Sequence, residues 1–238
     1  MNISAVNLDF RKLNEQIRET AIDVQISDCC GQRFIGSGAK DKTIVIHGTP
    51  GNALGAYLNG ATIEVHGNVQ DAVGDTMNDG KIIVHGNAGD ALGYAMRGGS
   101  IFVSGNAGYR TGIHMKQYQG KKPVIIVGGR VGSFLGEYLA GGLIVVLGIG
   151  ADDVPVGNFT GTGMHGGRVF IRTNKKPENL PAQVAAGIAD KADMEEIMPL
   201  LSEYGTLFSM DMKQIVNEEF YVLKANAKNP YKLLYTAN

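Results

Sequence analysis

The chain has 238 residues and a formal net charge of −1, with Lys and Arg scattered along it. That length supports a sizeable core in one large or two small domains, and that charge leaves no electrostatic footprint for nucleic acid or an anionic membrane. Glycine is the outlier, with 34 residues, about twice its usual share of ~7%, and no collagen period accounts for them.

The opening MNISAVNLDFRKLNEQ has no apolar h-region and no cleavage site, so no signal peptide is expected. No apolar run approaches the ~20 residues of a membrane span. Leu8 to Thr20 reads as a short amphipathic helix with Phe10, Leu13 and Ile17 on one face, placed to cap the start of a repeat region. The cysteines are Cys29 and Cys30. Adjacent cysteines rarely pair with each other, so neither a disulfide framework nor a C-x-x-C metal site is expected, and the setting is read as reducing and cytoplasmic.

From Ile44 the chain repeats itself at a period of about nineteen. IVIHGTPGNALGAYLNGAT is followed by IEVHGNVQDAVGDTMNDGK, IIVHGNAGDALGYAMRGGS and IFVSGNAGYRTGIHMKQYQ. After a short insertion, further copies begin at Val124, Ile144 and Val169, and AIDVQISDCCGQRFIGSGAKDKT from Ala21 reads as a worn first copy. A fixed period near twenty signals a solenoid. Each block opens on a four-residue strand. Its first position is Ile44, Ile63, Ile82, Ile101, Val124, Ile144 or Val169, and its third is Ile46, Val65, Val84, Val103, Ile126, Val146 or Ile171. Both are always aliphatic and β-branched, whereas the second admits Glu64 and the fourth admits His47, His66, His85, Ser104 and Arg172. Alternation in a strand sends the first and third inward and lets the others face out. A second short strand such as LGAYL is expected next. It aligns Leu54, Val73, Leu92, Thr111 and Leu135 in one column, and Leu58, Met77, Met96, Met115 and Leu139 in another. The thioethers of that second column suit an irregular core. Nineteen residues at ~3.3 Å each close one coil of three short sides. The predicted fold is an all-β, single-stranded, right-handed parallel β-helix of about seven coils.

Glycines punctuate the coils. Gly48, Gly67, Gly86, Gly105, Gly128 and Gly148 follow the first strand, and Gly55, Gly74, Gly93, Gly112, Gly136 and Gly157 sit at the second. Corners and close backbone approaches account for them. Asn68, Asn87 and Asn106, below Thr49, follow the corner and suit a hydrogen-bonded ladder.

The strand-then-glycine pattern imitates a nucleotide loop at Gly86 to Gly89, at Gly128 to Gly132 and at Gly148 to Asp152. A dinucleotide fingerprint requires a helix after the glycines and a long crossover. Here the next strand begins almost at once, so no bound cofactor is expected. The His47, His66 and His85 column would point its rings side by side from a flat face, ~4.8 Å apart. A metal centre needs convergence, so the column reads as an exposed ladder and no metal site is expected. Asp152 and Asp153 lie in the most interrupted coil, with His165 downstream. An acidic solvent loop is the plain reading, and a catalytic dyad is the competing one. No catalytic residue is otherwise indicated.

After Arg172 the pattern changes. NKKPENLP is a polar linker; Gln183 to Asp190 and Asp193 to Tyr204 have helical periodicity; Pro199 is expected to break or restart the second. Asp193 and Glu196 form a plausible capping pair. The tail FYVLKANAKNPYKLLYTAN is apolar and aromatic; packing back on its own chain is the plain reading, and packing against a partner is the competing one. The expected organisation is a capping helix over residues 1–20, the β-helix over 21–173, and linker, helices and tail over 174–238.

These stretches resemble a known family. GNAGDALGYAMRGGSIFVSGNAG, AGGLIVVLG and GMHGGRVFI look like the GXGXG β-helix domain of glutamate synthase, domain 3 at the C-terminal end of its large (alpha) subunit. NEQIRETAIDVQI leading into TIVIHGTPGNALGAYL is similar to that domain's lead-in, and FYVLKANAKNPYKLLY to its closing segment. The resemblance spans nearly the whole chain, and the repeats carry most of its specificity. It implies an all-β domain without catalytic residues of its own, inside an oxidoreductase complex that makes glutamate from glutamine and 2-oxoglutarate. In that enzyme an amidotransferase domain with an N-terminal cysteine releases ammonia, and a domain holding FMN and an iron–sulfur cluster reduces the imine. Asn2 stands where such a cysteine would be, so the resemblance implies a separate subunit working with amidotransferase and FMN-bearing partners. The repeats are shared with the β-helix (C) subunit of formylmethanofuran dehydrogenase, and the helical, aromatic tail favours the first family.

Overall fold

The computed structural model describes residues 1–226. Its elements in chain order are β1 (Asn2–Ser4), α1 (Phe10–Glu19), β2 (Val24–Cys30), β3 (Thr43–Thr49), β4 (Asn59–His66), β5 (Asp79–Val84), β6 (Ser100–Val103), β7 (Val124–Val127), β8 (Ala140–Val146) and β9 (Gly166–Arg172). Then come β10 (Val184–Ile188), α2 (Lys191–Leu207), α3 (Met212–Ile215) and β11 (Phe220–Ala225). The strands form one sheet in the order β1-β2-β3-β4-β5-β6-β7-β8-β9-β11-β10. Every pair from β1 to β9 is parallel. The fold is a β-solenoid of about eight turns. Its rungs are β2 to β9, the worn first copy counted with the regular ones.

The inward columns run Val24, Ile44, Ile63, Ile82, Ile101, Ile125, Ile144, Val169 and Ile26, Ile46, Val65, Val84, Val103, Val127, Val146, Ile171, all fully buried. β-Branched side chains on stacked rungs fill this space without losing much rotamer freedom. One rung departs from expectation. Ile125 and Val127, not Val124 and Ile126, face inward, because Ile101 pairs with Ile125. VIIV is apolar at all four positions and buried on both faces, so no polar residue marks its phase.

The next side of each coil is not the expected second strand. Ala53, Gly55 and Tyr57 have φ of 60°, 64° and 57°, so the chain turns at alternate residues. Their N–H groups bond to other coils, Ala53 to the Asp71 carbonyl at 2.9 Å, Gly55 to Ile35 at 2.8 Å and Tyr57 to Asp75 at 2.8 Å. Left-handed alanine and tyrosine cost about 1 kcal/mol or more each, and inter-coil hydrogen bonds offset that. Leu54, Val73, Leu92, Thr111 and Leu135 still point inward, as do Leu58, Met77, Met96, Met115 and Leu139, and all are 1% exposed or less. β-Bridges between single residues, such as Val69 to Ala88 and Val131 to Val156, are found on the intervening side.

Both ends are covered. α1 starts at the N-cap Asp9, whose carboxylate accepts from the Arg11 and Lys12 N–H groups. It buries Leu13 and Ile17 in the solenoid core. Lys42 Nζ donates to the Ile17 and Thr20 carbonyls at its other end, where a cation also opposes the helix dipole. At the far end β11 pairs antiparallel with β9, and β10 with β11. Val184 to Ile188 is therefore strand, not helix. α2 runs unbroken through Pro199. That residue is exposed while Ile197, Leu201 and Tyr204 are buried, so the carbonyl orphaned by proline faces water. The capping box is Asp190 with Asp193, three residues earlier than expected, and Glu196 instead pairs with Lys122 and Arg168. The tail packs on its own chain through Asn226, and the rest of it lies outside the described residues.

α2 and α3 lie on the outward face of the sheet, and β11 extends that sheet beyond β9; together they build a second core. It contains Phe102, Val124, Ile126, Leu143, Val145, Leu147 and Phe170 from the sheet, and Ile197, Leu201, Tyr204, Ile215, Phe220 and Val222 from the C-terminal elements. No helix among the described residues is long and apolar enough to cross a membrane.

Candidate functional site

Three surfaces hold the residues that carry chemistry. The first is the corner after each strand. There Gly105 accepts the Gly129 N–H at 2.8 Å, and Gly129 accepts that of Gly148 at 3.2 Å. The column is thus Gly48, Gly67, Gly86, Gly105, Gly129, Gly148, and Gly128 belongs one position earlier. By the same hydrogen-bond criterion, Gly161 completes the column of Gly55, Gly74, Gly93, Gly112 and Gly136 by donating to Leu135, whereas Gly157 donates to Val131 on the preceding side. Two positions show why glycine is required. Gly48 has φ 121°, and a Cβ there would collide with the Cys29 carbonyl. A Cβ at Gly128 would collide with the Tyr204 hydroxyl and the Ser104 carbonyl, so this glycine admits the C-terminal helix. None of these glycines opens onto a helix N-terminus, and the phosphate-cradle geometry is not formed at Gly86, Gly128 or Gly148.

The asparagines form the ladder. Asn68 Oδ1 accepts the Asn87 N–H, Asn87 Oδ1 that of Asn106, and Asn106 Oδ1 that of Arg130, at 2.8, 2.8 and 2.7 Å. A second ladder runs from Asn52 through Asp71 and Asp90 to the Tyr109 N–H. Sequence reasoning missed it, although the same nineteen-residue spacing marks it. Each side chain satisfies a backbone N–H one coil away, which is structural use of polar groups.

The second surface is the outward face of β3 to β5. His47, His66 and His85 stack with ring centroids 4.8 and 4.6 Å apart and planes within 11°, at the spacing that rung repetition imposes. Glu64 Oε1 lies 2.8 Å from His85 Nε2 and 3.6 Å from His66 Nε2. His85 also meets the Phe208 ring nearly at right angles, with centroids 5.3 Å apart. The Glu64, His66 and His85 side chains are 32%, 41% and 29% exposed.

The third surface is the insertion after β8. Asp153 pairs with Arg130, and Lys175 Nζ donates to the Asp152 carbonyl at 2.7 Å. His165 sits at the corner leading into β9, its Nδ1 3.2 Å from the Gly163 carbonyl. Asp152 and His165 are thus at different corners of the coil and have separate partners. An open cavity of about 570 Å³ lies beside the insertion, lined by Val156, Phe159, Thr160, Lys175, Pro177 and Leu180 among others. Lys176 and Glu178 add charge to its rim.

Elsewhere the titratable groups serve packing. Burial pushes the Cys29 thiol up to about 11, so it stays protonated against Gln32 Oε1; Cys30 is exposed, and both are free. Burial tends to raise Asp193, but Lys224 at 2.8 and 2.9 Å, the Asp190 N–H and Arg168 at 3.1 Å outweigh it and leave the carboxyl below its ordinary value. Arg172 ties β9 to the carbonyls of Leu147 and Gln214 and to Glu218.

Taken together these features define a class: a one-sheeted parallel β-solenoid whose polar side chains mostly bind their own backbone, with a C-terminal helix clamped over half of one face. The chain belongs to the GXGXG motif family, the family of domain 3 of the glutamate synthase large subunit, whose sequence pattern matches residues 7–228. It is 43% identical over 251 aligned positions to the uncharacterized protein MJ1350 of Methanocaldococcus jannaschii, covering 98% of this chain and 95% of that protein.

Proposed function

We propose that this chain is a non-catalytic scaffold subunit of a split glutamate synthase. It holds an amidotransferase subunit and an FMN-bearing synthase subunit in register, and leaves FMN and the iron–sulfur cluster to those partners in a cytoplasmic complex. The observation that carries this reading is the family match over residues 7–228 on a molecule whose repeat residues are spent on stacking and inter-coil hydrogen bonds. A rigid solenoid with a continuous inward core resists bending, which is the mechanical property a spacer between two active sites requires. Affinity purification from the native cell is expected to recover an FMN-binding synthase chain and an amidotransferase chain. Recovery of a molybdenum- or tungsten-containing oxidoreductase would replace this reading with an accessory role similar to that of the β-helix subunit of formylmethanofuran dehydrogenase.

A further inference from the structure

Rung repetition alone would leave His47, His66 and His85 as a set of parallel rings with no common focus. Glu64 changes that. It stands two residues before His66 on the same outward face of β4, and Glu64 pairs directly with Ile83 of β5. His85 is therefore its diagonal neighbour, within reach of a long side chain on a pleated sheet. Its Oε1 reaches both His85 Nε2 at 2.8 Å and His66 Nε2 at 3.6 Å. One donor atom from each of the three residues lies within 4.8 Å of the others. Donors about 2.1 Å from a tetrahedral ion are about 3.4 Å apart, so two of these separations already bracket the required distance. The third pair, His66 with His85, is stacked with ring planes 11° apart, so metal binding turns the two partly exposed rings out of that stack until their nitrogens converge.

We propose that Glu64, His66 and His85 bind one divalent transition-metal ion of the zinc class. Two imidazole nitrogens and one carboxylate oxygen suit zinc, cobalt or nickel, and not the all-oxygen preference of magnesium or calcium. The ligands come from two successive rungs, so the ion cross-links β4 to the corner following β5 on the part of the face that α2 leaves open. Three protein ligands leave a coordination position to solvent or to a group from a partner. The Phe208 ring walls the site on the side of the C-terminal helix.

The test uses the full chain after chelator treatment, titrated calorimetrically with Zn²⁺ and followed by visible absorption with Co²⁺. Expected are one ion per chain, a tetrahedral Co²⁺ band displaced by Zn²⁺, and no competition from millimolar Mg²⁺. Glu64→Gln and His85→Gln should each weaken binding by at least about tenfold, while His114→Gln, which removes a ring stacked on Tyr138 on another face, should leave it unchanged. Thermal melts of each apo variant matching the apo wild type confirm that folding is not the variable. In a second measurement, substoichiometric Co²⁺ should broaden the ring-proton signals of His66 and His85 and spare His114 and His165. Zinc affinity unchanged in Glu64→Gln, equal competition by Mg²⁺, or broadening spread over all the histidines would each overturn the proposal.

Discussion

The outward face of the sheet is two different surfaces made by one repeat. Along a single column, the residue opposite its neighbour changes from Gln25, Val45 and Glu64 to Ile83, Phe102, Ile126, Val145 and Phe170. The adjacent column changes from His47, His66 and His85 to Ser104, Gly128, Leu147 and Arg172. The first half faces solvent, with alternating apolar and polar residues. The second half lies under α2 and α3 and reads as continuous apolar strand, VIIV and LIVV. Parallel strands covered on both faces lose alternation for this reason. The repeat dictates the coil, and the non-repeating tail dictates what the coil's outer face must be.

The largest effect should come from charging the side that both halves share. Val84 is fully buried in the stacked core, and an unpaired charge there costs several kcal/mol, roughly the stability of a domain. Val84→Asp should unfold the chain, read as loss of the cooperative urea transition. Ile83 faces outward yet is 5% exposed, on the boundary between the two halves, so Ile83→Asp should fall between Val84→Asp and Val45→Asp. Val45, on the open half, is only partly buried. Equal loss at Val84 and Val45 would remove the distinction between the inner and outer faces.

The next effect isolates the covered half. Leu201 is fully buried between α2 and the sheet, so Leu201→Ala should cost about 2–5 kcal/mol and speed hydrogen exchange in β7 to β9 more than in β3 to β5. Acidification probes the same clamp. Asp193 has its carboxyl held below the ordinary value through Lys224 and Arg168, so its stabilisation is complete above that value and is lost as pH falls through the depressed one. Stability of the wild type should therefore drop as the solution is acidified below the ordinary carboxyl value, and Asp193→Asn should be less stable at neutral pH with a shallower drop. Asp9 and Asp79, also depressed, remain in both proteins and set the residual slope. An unchanged slope in Asp193→Asn would show that this network does not hold the clamp.

Much of this was legible from the residues. Alternation at Ile63 and Val65, beside Glu64 and His66, carries both period and phase, so rungs, core columns and the stacked histidines followed directly. VIIV carries period without phase, because the clamp that buries its outer face is a distant part of the chain. Val184 to Ile188 sits in an alanine-rich stretch with helical composition, and becomes strand only because β11 offers it a partner. Glu64 was visible as an outward residue, but its reach to His85 is a diagonal contact between rungs, which alignment of columns does not display.

The smallest effect belongs to the open half and tests whether its polar ladders are structural. Asn87 is exposed, and its Oδ1 accepts the Asn106 N–H at 2.8 Å while its own N–H donates to Asn68 Oδ1. Asn87→Ala removes the acceptor and leaves the Asn106 N–H to water, so the cost should be only about 0.5–1.5 kcal/mol, the net worth of an ordinary hydrogen bond. Asn87→Asp keeps an acceptor at the same place and should recover most of the loss above the carboxyl's titration. The Asn106 amide should exchange faster in Asn87→Ala and return towards wild type in Asn87→Asp. Because each rung repeats the same bond, a double Asn68→Ala, Asn87→Ala variant distinguishes additive rungs from a coupled ladder. Costs that sum would mean each coil satisfies its neighbour independently, and an excess would mean that the rungs of the ladder stabilise one another.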